Sequence, residues 1–211
     1  MSKFFKNTFC FLLVINLLAC KNEPSGEQQS SLRGPEDLSH SATSTPDGKL
    51  LGYRDNIMTI EGQAAKKFEP DSNVVTVILL RPAETLPTRP SLSPAGQMRA
   101  DLLAKVFVLS GIEQIYTEGN PGMQTGNMTS RSNYCSLGIV KDDGTDQLSK
   151  ILLGSWKGKT VMVIGNPKMM TNMLDQLAGP GKYVMPENEY DHVFIVKAKA
   201  MGDANVYHFT Y

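Results

Sequence analysis

Three cysteines among 211 residues are too few for a disulfide framework, so no stapled scaffold is expected. Glycine at 18 and proline at 12 are too scarce for a repetitive or wholly disordered chain. Neither sign of charge dominates: 21 Lys and Arg face 21 Asp and Glu, which excludes the basic footprint of a nucleic-acid binder. Long apolar runs are missing too. The longest near the start, Phe9 to Ala19, is interrupted by Asn16 and falls well short of the roughly 20 residues that span a bilayer.

That short run carries information of its own. Lys3 and Lys6 precede it, and a basic start followed by a short apolar core is the layout of a secretory signal. It ends in Leu17-Leu18-Ala19-Cys20, which resembles the bacterial lipobox. The resemblance implies a signal peptide over 1–19 and lipidation of Cys20, with several acyl chains providing stable anchoring. Lys21 after the lipid cysteine favours the outer membrane, facing the periplasm. Removing residues 1–19 leaves 19 basic against 21 acidic side chains, and Cys135 as the one free thiol, read as a buried apolar cysteine.

Residues 20–48 are rich in Ser, Pro, Gly, Glu and Gln and poor in large apolar side chains, which predicts a tether. Residues 49–72 are ambiguous: "KLLGYRDNIMTI" suits a short strand or hairpin, and "EGQAAKKFEP" a helical turn. From residue 73 the pattern is regular. Val74–Leu80 is a β-branched and leucine run of the kind buried on both faces of a sheet. Ser93 and Pro94 open a helix whose Met98, Leu102, Val106 and Phe107 share a face. Ile112–Thr117 and Thr160–Ile164 read as strands, Gln124–Leu137 as a weak helix, and "DGTDQLSKILLGS" as a short one. Asn166 caps a further helix with Pro167 at its first position, ending near Gly179. Two strands close the chain, in "DHVFIVKAKA" and "ANVYHFTY". The alternation predicts an α/β fold, a three-layer α/β/α sandwich with a mostly parallel sheet and ligands beyond the carboxyl ends of its strands.

Five segments, in order, resemble landmarks of the histidine phosphatases, or phosphoglycerate-mutase-like proteins: "VTVILLRPAET", "LSPAGQMRADLLAKVF", "GIEQIYTEGNPGMQTG", "GKTVMVIGNPKMM" and "EYDHVFIV". Together they cover residues 73–211. The resemblance implies a nucleophilic histidine, a second histidine and two arginines around a transferred phosphoryl group, with an acid for the leaving oxygen. This chain departs at most of those positions. Pro82 stands at the nucleophile, Asn166 at the second histidine and Pro121 at the second arginine; Arg81 alone remains of the four. His40, His192 and His208 fall at none of the family's catalytic positions, the last two in terminal strands where a structural or surface role is expected. Thr85, Thr117, Ser130 and Cys135 lie in no recognisable activating pattern with a histidine.

Family-type phosphohistidine chemistry is therefore not expected, nor is any metal or cofactor. A remnant able to hold a phosphate-like anion would comprise Arg81, Glu84 and Asn166, the last at a helix start. The function expected is a lipid-anchored, non-catalytic binding or interaction module. A phosphatase of weak or altered mechanism and an assembly subunit with an empty pocket are the alternatives.

Overall fold

The computed structural model describes residues 44–141 and 144–211. The expected signal peptide, Cys20, His40 and the expected tether up to residue 43 lie outside the described residues.

The chain begins with an antiparallel three-stranded sheet of β1 (Leu50–Arg54), β2 (Ile57–Ile60) and β3 (Lys66–Lys67). Asp55 and Asn56 join the first two strands with φ of 50° and 60°. A two-residue turn with both angles positive matches strand twist, and short polar side chains tolerate it. The stretch that sequence left between hairpin and helical turn is thus a hairpin with an added strand.

β4 (Val75–Leu80) follows, wholly buried. After the small pair β5 (Thr85–Leu86) and β6 (Arg89–Leu92) come α1 (Pro94–Val106), β7 (Ile112–Glu118), α2 (Gly119–Asn133) and β8 (Ser136–Val140). Then follow α3 (Thr145–Ser155), β9 (Thr160–Ile164), α4 (Pro167–Ala178), β10 (His192–Ala200) and β11 (Asp203–Thr210). The central sheet runs β11-β10-β4-β9-β7-β8. β4, β9, β7 and β8 pair in parallel, whereas β10 is antiparallel to both β4 and β11. Four helices on a mostly parallel sheet make a mixed α/β fold.

Alternate residues of β4 feed two cores. Ile78 and Leu80 pack with Leu103 and Phe107 beside α1 and with the N-terminal hairpin. Val75, Val77 and Leu79 pack with Leu148 and Leu152 of α3 and with the apolar side of α4. Met170, Met173, Leu174 and Leu177 of α4 have no exposed surface. Burying each is worth roughly 1.5–3 kcal/mol, so this helix is held by packing more than by propensity.

Three expectations change. Met98 is 68 % exposed and Leu102 39 %, so the buried stripe keeps Val106 and Phe107 of the expected face and otherwise runs through Gly96, Ala100, Leu103 and Ala104. The weak helix expected over 124–137 begins at Gly119 and ends at Asn133, and Ser136–Val140 is a strand. Ser44–Gly48, at the end of the expected tether, runs beside β11: the Asp47 amide donates to the His208 carbonyl at 2.5 Å, and that of Thr210 to Gly48 at 3.0 Å. Among the described residues no helix is long and apolar enough to cross a membrane.

Candidate functional site

β4 and β9 end side by side, the Gly165 amide donating to the Leu80 carbonyl at 3.2 Å. The loop after β4 and the start of α4 therefore meet at the carboxyl edge of the sheet, where such folds place ligands. Each residue that sequence assigned there already has a partner within the chain.

Arg81 is 9 % exposed. One amino group donates to the carbonyl of Pro186 at 3.1 Å and to that of Glu187. Its guanidinium carbon lies 3.9 Å from the centre of the Tyr190 ring, a cation–π contact. Burial lowers the Arg81 pKa, partly offset by Tyr190, Glu187 and Glu84. The loop before β10 has captured this cation.

Glu84 pairs with a different arginine. Arg99 of α1 grips the Glu84 carboxylate through Nε at 2.9 Å to both oxygens and through a terminal nitrogen at 2.7 Å. Both side chains are mostly buried, and the Arg99 hydrogen bonds hold the Glu84 carboxyl below its ordinary range. Helix and loop are drawn together so closely that Gly96 has no room for a side chain. A Cβ there would lie 2.1 Å from the Glu84 carbonyl oxygen.

Pro82 contributes no reactive group, and Ala83 after it is clamped to α2. The Ala83 amide donates to Thr125 Oγ1 at 2.9 Å, and that hydroxyl donates to the Pro121 carbonyl at 2.8 Å. Pro121, where the resemblance calls for a cation, supplies a backbone acceptor in the first turn of α2.

Asn166 caps α4 as expected, its Oδ1 accepting from the Met169 amide at 2.9 Å, with Pro167 at the first helical position. The decisive residue beside it is Glu118, the last of β7, which sequence reasoning passed over. One Glu118 oxygen accepts from the Asn166 backbone N–H and the other from its side-chain amide, both at 2.6 Å. A carboxylate on the N-terminus of a helix is the arrangement that dipole and free N–H groups favour. Here the anion belongs to the protein. Arg81, Glu84 and Asn166 are thus each engaged within the chain, by backbone carbonyls, Arg99 and Glu118 respectively. The signal was legible in kind, a carboxylate at the carboxyl end of a parallel strand, but its neighbour across the sheet was not.

A second polar array was also missed. His192 and His208 are 5 % and 4 % exposed. Glu189 Oε2 lies 2.5 Å from His192 Nε2, His192 Nδ1 lies 2.7 Å from His208 Nε2, and His208 Nδ1 lies 2.9 Å from the Ser44 hydroxyl. With both rings neutral, every proton points toward the carboxylate and every nitrogen is satisfied. Phe194 stacks on His208 at 4.0 Å. Both histidines are buried, not at the surface, and hydrogen-bonded to each other. Cys135 is half-buried, and its thiol pKa is raised by that burial.

No family model matches the chain, and no curated protein does. Among solved structures the chain is similar to one named as the phosphohistidine phosphatase SixA of Agrobacterium tumefaciens. The TM-score is 0.44 at 16 % identity, covering 64 % of this chain and 97 % of the other. It is also similar to a protein of that name from Nakamurella multipartitia, with TM-score 0.43 and 13 % identity, covering 66 % of this chain and 95 % of the other. At such values neither likeness says what this chain does.

Proposed function

We propose that the chain is a lipid-anchored protein of the bacterial envelope whose histidine-phosphatase-like domain serves as a non-catalytic interaction module. One observation carries this reading: the Glu118 carboxylate sits on the backbone N–H and amide of Asn166, where an oxyanion would otherwise dock. A phosphate approaching that helix start meets a fixed negative charge. The remaining cation of the motif is buried against Tyr190 and donates to backbone carbonyls. Pro82 offers no nucleophile. Phosphoryl transfer needs a nucleophile and cations directed at developing charge; at the positions the family would use for them, Pro82, Asn166 and Pro121 carry neither, and Arg81 is engaged by backbone carbonyls.

The lipobox-like Leu17-Leu18-Ala19-Cys20 supports attachment through Cys20, and Lys21 supports residence at the outer membrane, facing the periplasm. Partners are then other proteins rather than phosphate-like anions.

The test is thermal unfolding in phosphate, vanadate and small phosphomonoesters, alongside release of phosphate from those esters. A bound ligand at about 100 times its dissociation constant adds roughly 2.7 kcal/mol to stability. The expected result is no saturable shift and no turnover. A saturable rise, or hydrolysis lost in Arg81→Ala, overturns the reading.

A further inference from the structure

The two margins of the central sheet differ. Along β11, the segment Ser44–Lys49 supplies hydrogen bonds, with a parallel bridge between Lys49 and Thr210. Along β8, among the described residues, no strand pairs the outer edge. Edge strands are usually protected by charge, proline or a bulge, because unpaired N–H and C=O groups recruit another strand. β8 reads Ser-Leu-Gly-Ile-Val and carries none of these.

Its side chains reinforce the point. Of the large apolar residues described, the two most exposed are Tyr134 at 91 % and Ile139 at 70 %, one just before this strand and one within it. Tyr134 also holds a left-handed backbone, φ 56°, at the end of α2, a position that favours glycine. A bulky apolar side chain is thus kept in an unfavourable conformation and in water at an open sheet edge.

We propose that β8 pairs antiparallel with β8 of a second copy of this chain, joining two sheets into one. The strand is complementary to itself. With Gly138 facing its own counterpart across the two-fold axis, Leu137 of one copy lies opposite Ile139 of the other. Both belong to the same side of the strand, so two apolar cross-strand pairs form on one face. On the other face Ser136 meets Val140. Lys141 falls opposite Cys135, so no like charges meet. Pairing covers Ile139 and satisfies the β8 edge in a closed, isologous contact. The pairing is independent of what the loop end of the sheet does.

The test reads register directly. Full-length chains carrying Leu137→Cys and Ile139→Cys, each in a Cys135→Ser background with its own tag, are co-expressed and mildly oxidised in intact cells. The expected result is a mixed-tag disulfide dimer at least tenfold above that of either variant alone. Adding Ile139→Lys to the Leu137→Cys chain, with Ile139→Cys on its partner, reduces the product at least fivefold. Ile139 is exposed, so the melting temperature of the Ile139→Lys variant stays within about 2 °C of the parent, which separates lost pairing from lost folding. Three results each overturn the proposal. One is equal cross-linking when Met98→Cys replaces Leu137→Cys. Another is no mixed-tag product, and the third is a cross-link only to a protein of different mass.

Discussion

Lowering the pH through the weakly acidic range should destabilise the fold through His208. Its ring is buried beneath the Ser44 segment, stacked on Phe194 and bonded to His192. Burial, with His192 adding to it and Ser44, Asp47 and Glu189 opposing, lowers its pKa from 6.5 to about 4. The folded state therefore binds this proton less readily than the unfolded chain does. Stability from this group is present in full above pH 6.5 and is lost as pH falls toward 4. The shift corresponds to about 3 kcal/mol at 1.36 kcal/mol per unit, of which roughly 2.5 kcal/mol is gone by pH 4.5. Glu84 acts in the same direction, but its carboxyl lies below its ordinary 4.5, so its contribution fades only under that pH. Between 6.5 and 4.5 the imidazole therefore contributes more than Glu84 does. Urea unfolding at half-unit pH steps would read the slope in the protein and in His208→Gln, which removes the titrating ring whatever it does to absolute stability. The slope across that window should fall by at least half in the variant. An unchanged slope would refute the assignment of the linkage to His208.

Gly96→Ala should destabilise by about 3 kcal/mol, the top of the over-packing range, because the new methyl would meet the Glu84 carbonyl at 2.1 Å with backbone on both sides; calorimetry would show it, and a loss under 1 kcal/mol would mean that loop and helix part easily. Met98→Lys should change stability by less than about 0.5 kcal/mol, since the side chain is 68 % exposed, and a cost of several kcal/mol in urea unfolding would place it back in the core.

What the sequence made legible, and what it hid, divides along one physical line. Local signals survived folding. Val75–Leu80 is continuous and β-branched, and it is the buried central strand; Ser93 and Asn166 accept the hydrogen bonds that their positions before Pro94 and Pro167 imply. Periodicity misled at Met98, because Ala100 and Ala104 form the close-packed side of α1, and small residues carry little weight in an apolar pattern. β8 went unseen for a related reason: Ser136 and Gly138 dilute its apolar run, and it sits directly behind a helix. The site was half legible. The absence of a histidine at Pro82 is a one-residue fact. What the loop end of the sheet holds is a set of long-range pairings, Glu118 with Asn166 across 48 positions and Arg81 with the carbonyl of Pro186 across 105. No local pattern encodes such a pairing. The same limit explains Glu84, whose partner Arg99 stands fifteen residues away on a helix rather than three away in Arg81. A carboxylate chooses the guanidinium that the packing of a helix brings to it, and Gly96 is what lets that helix come close enough.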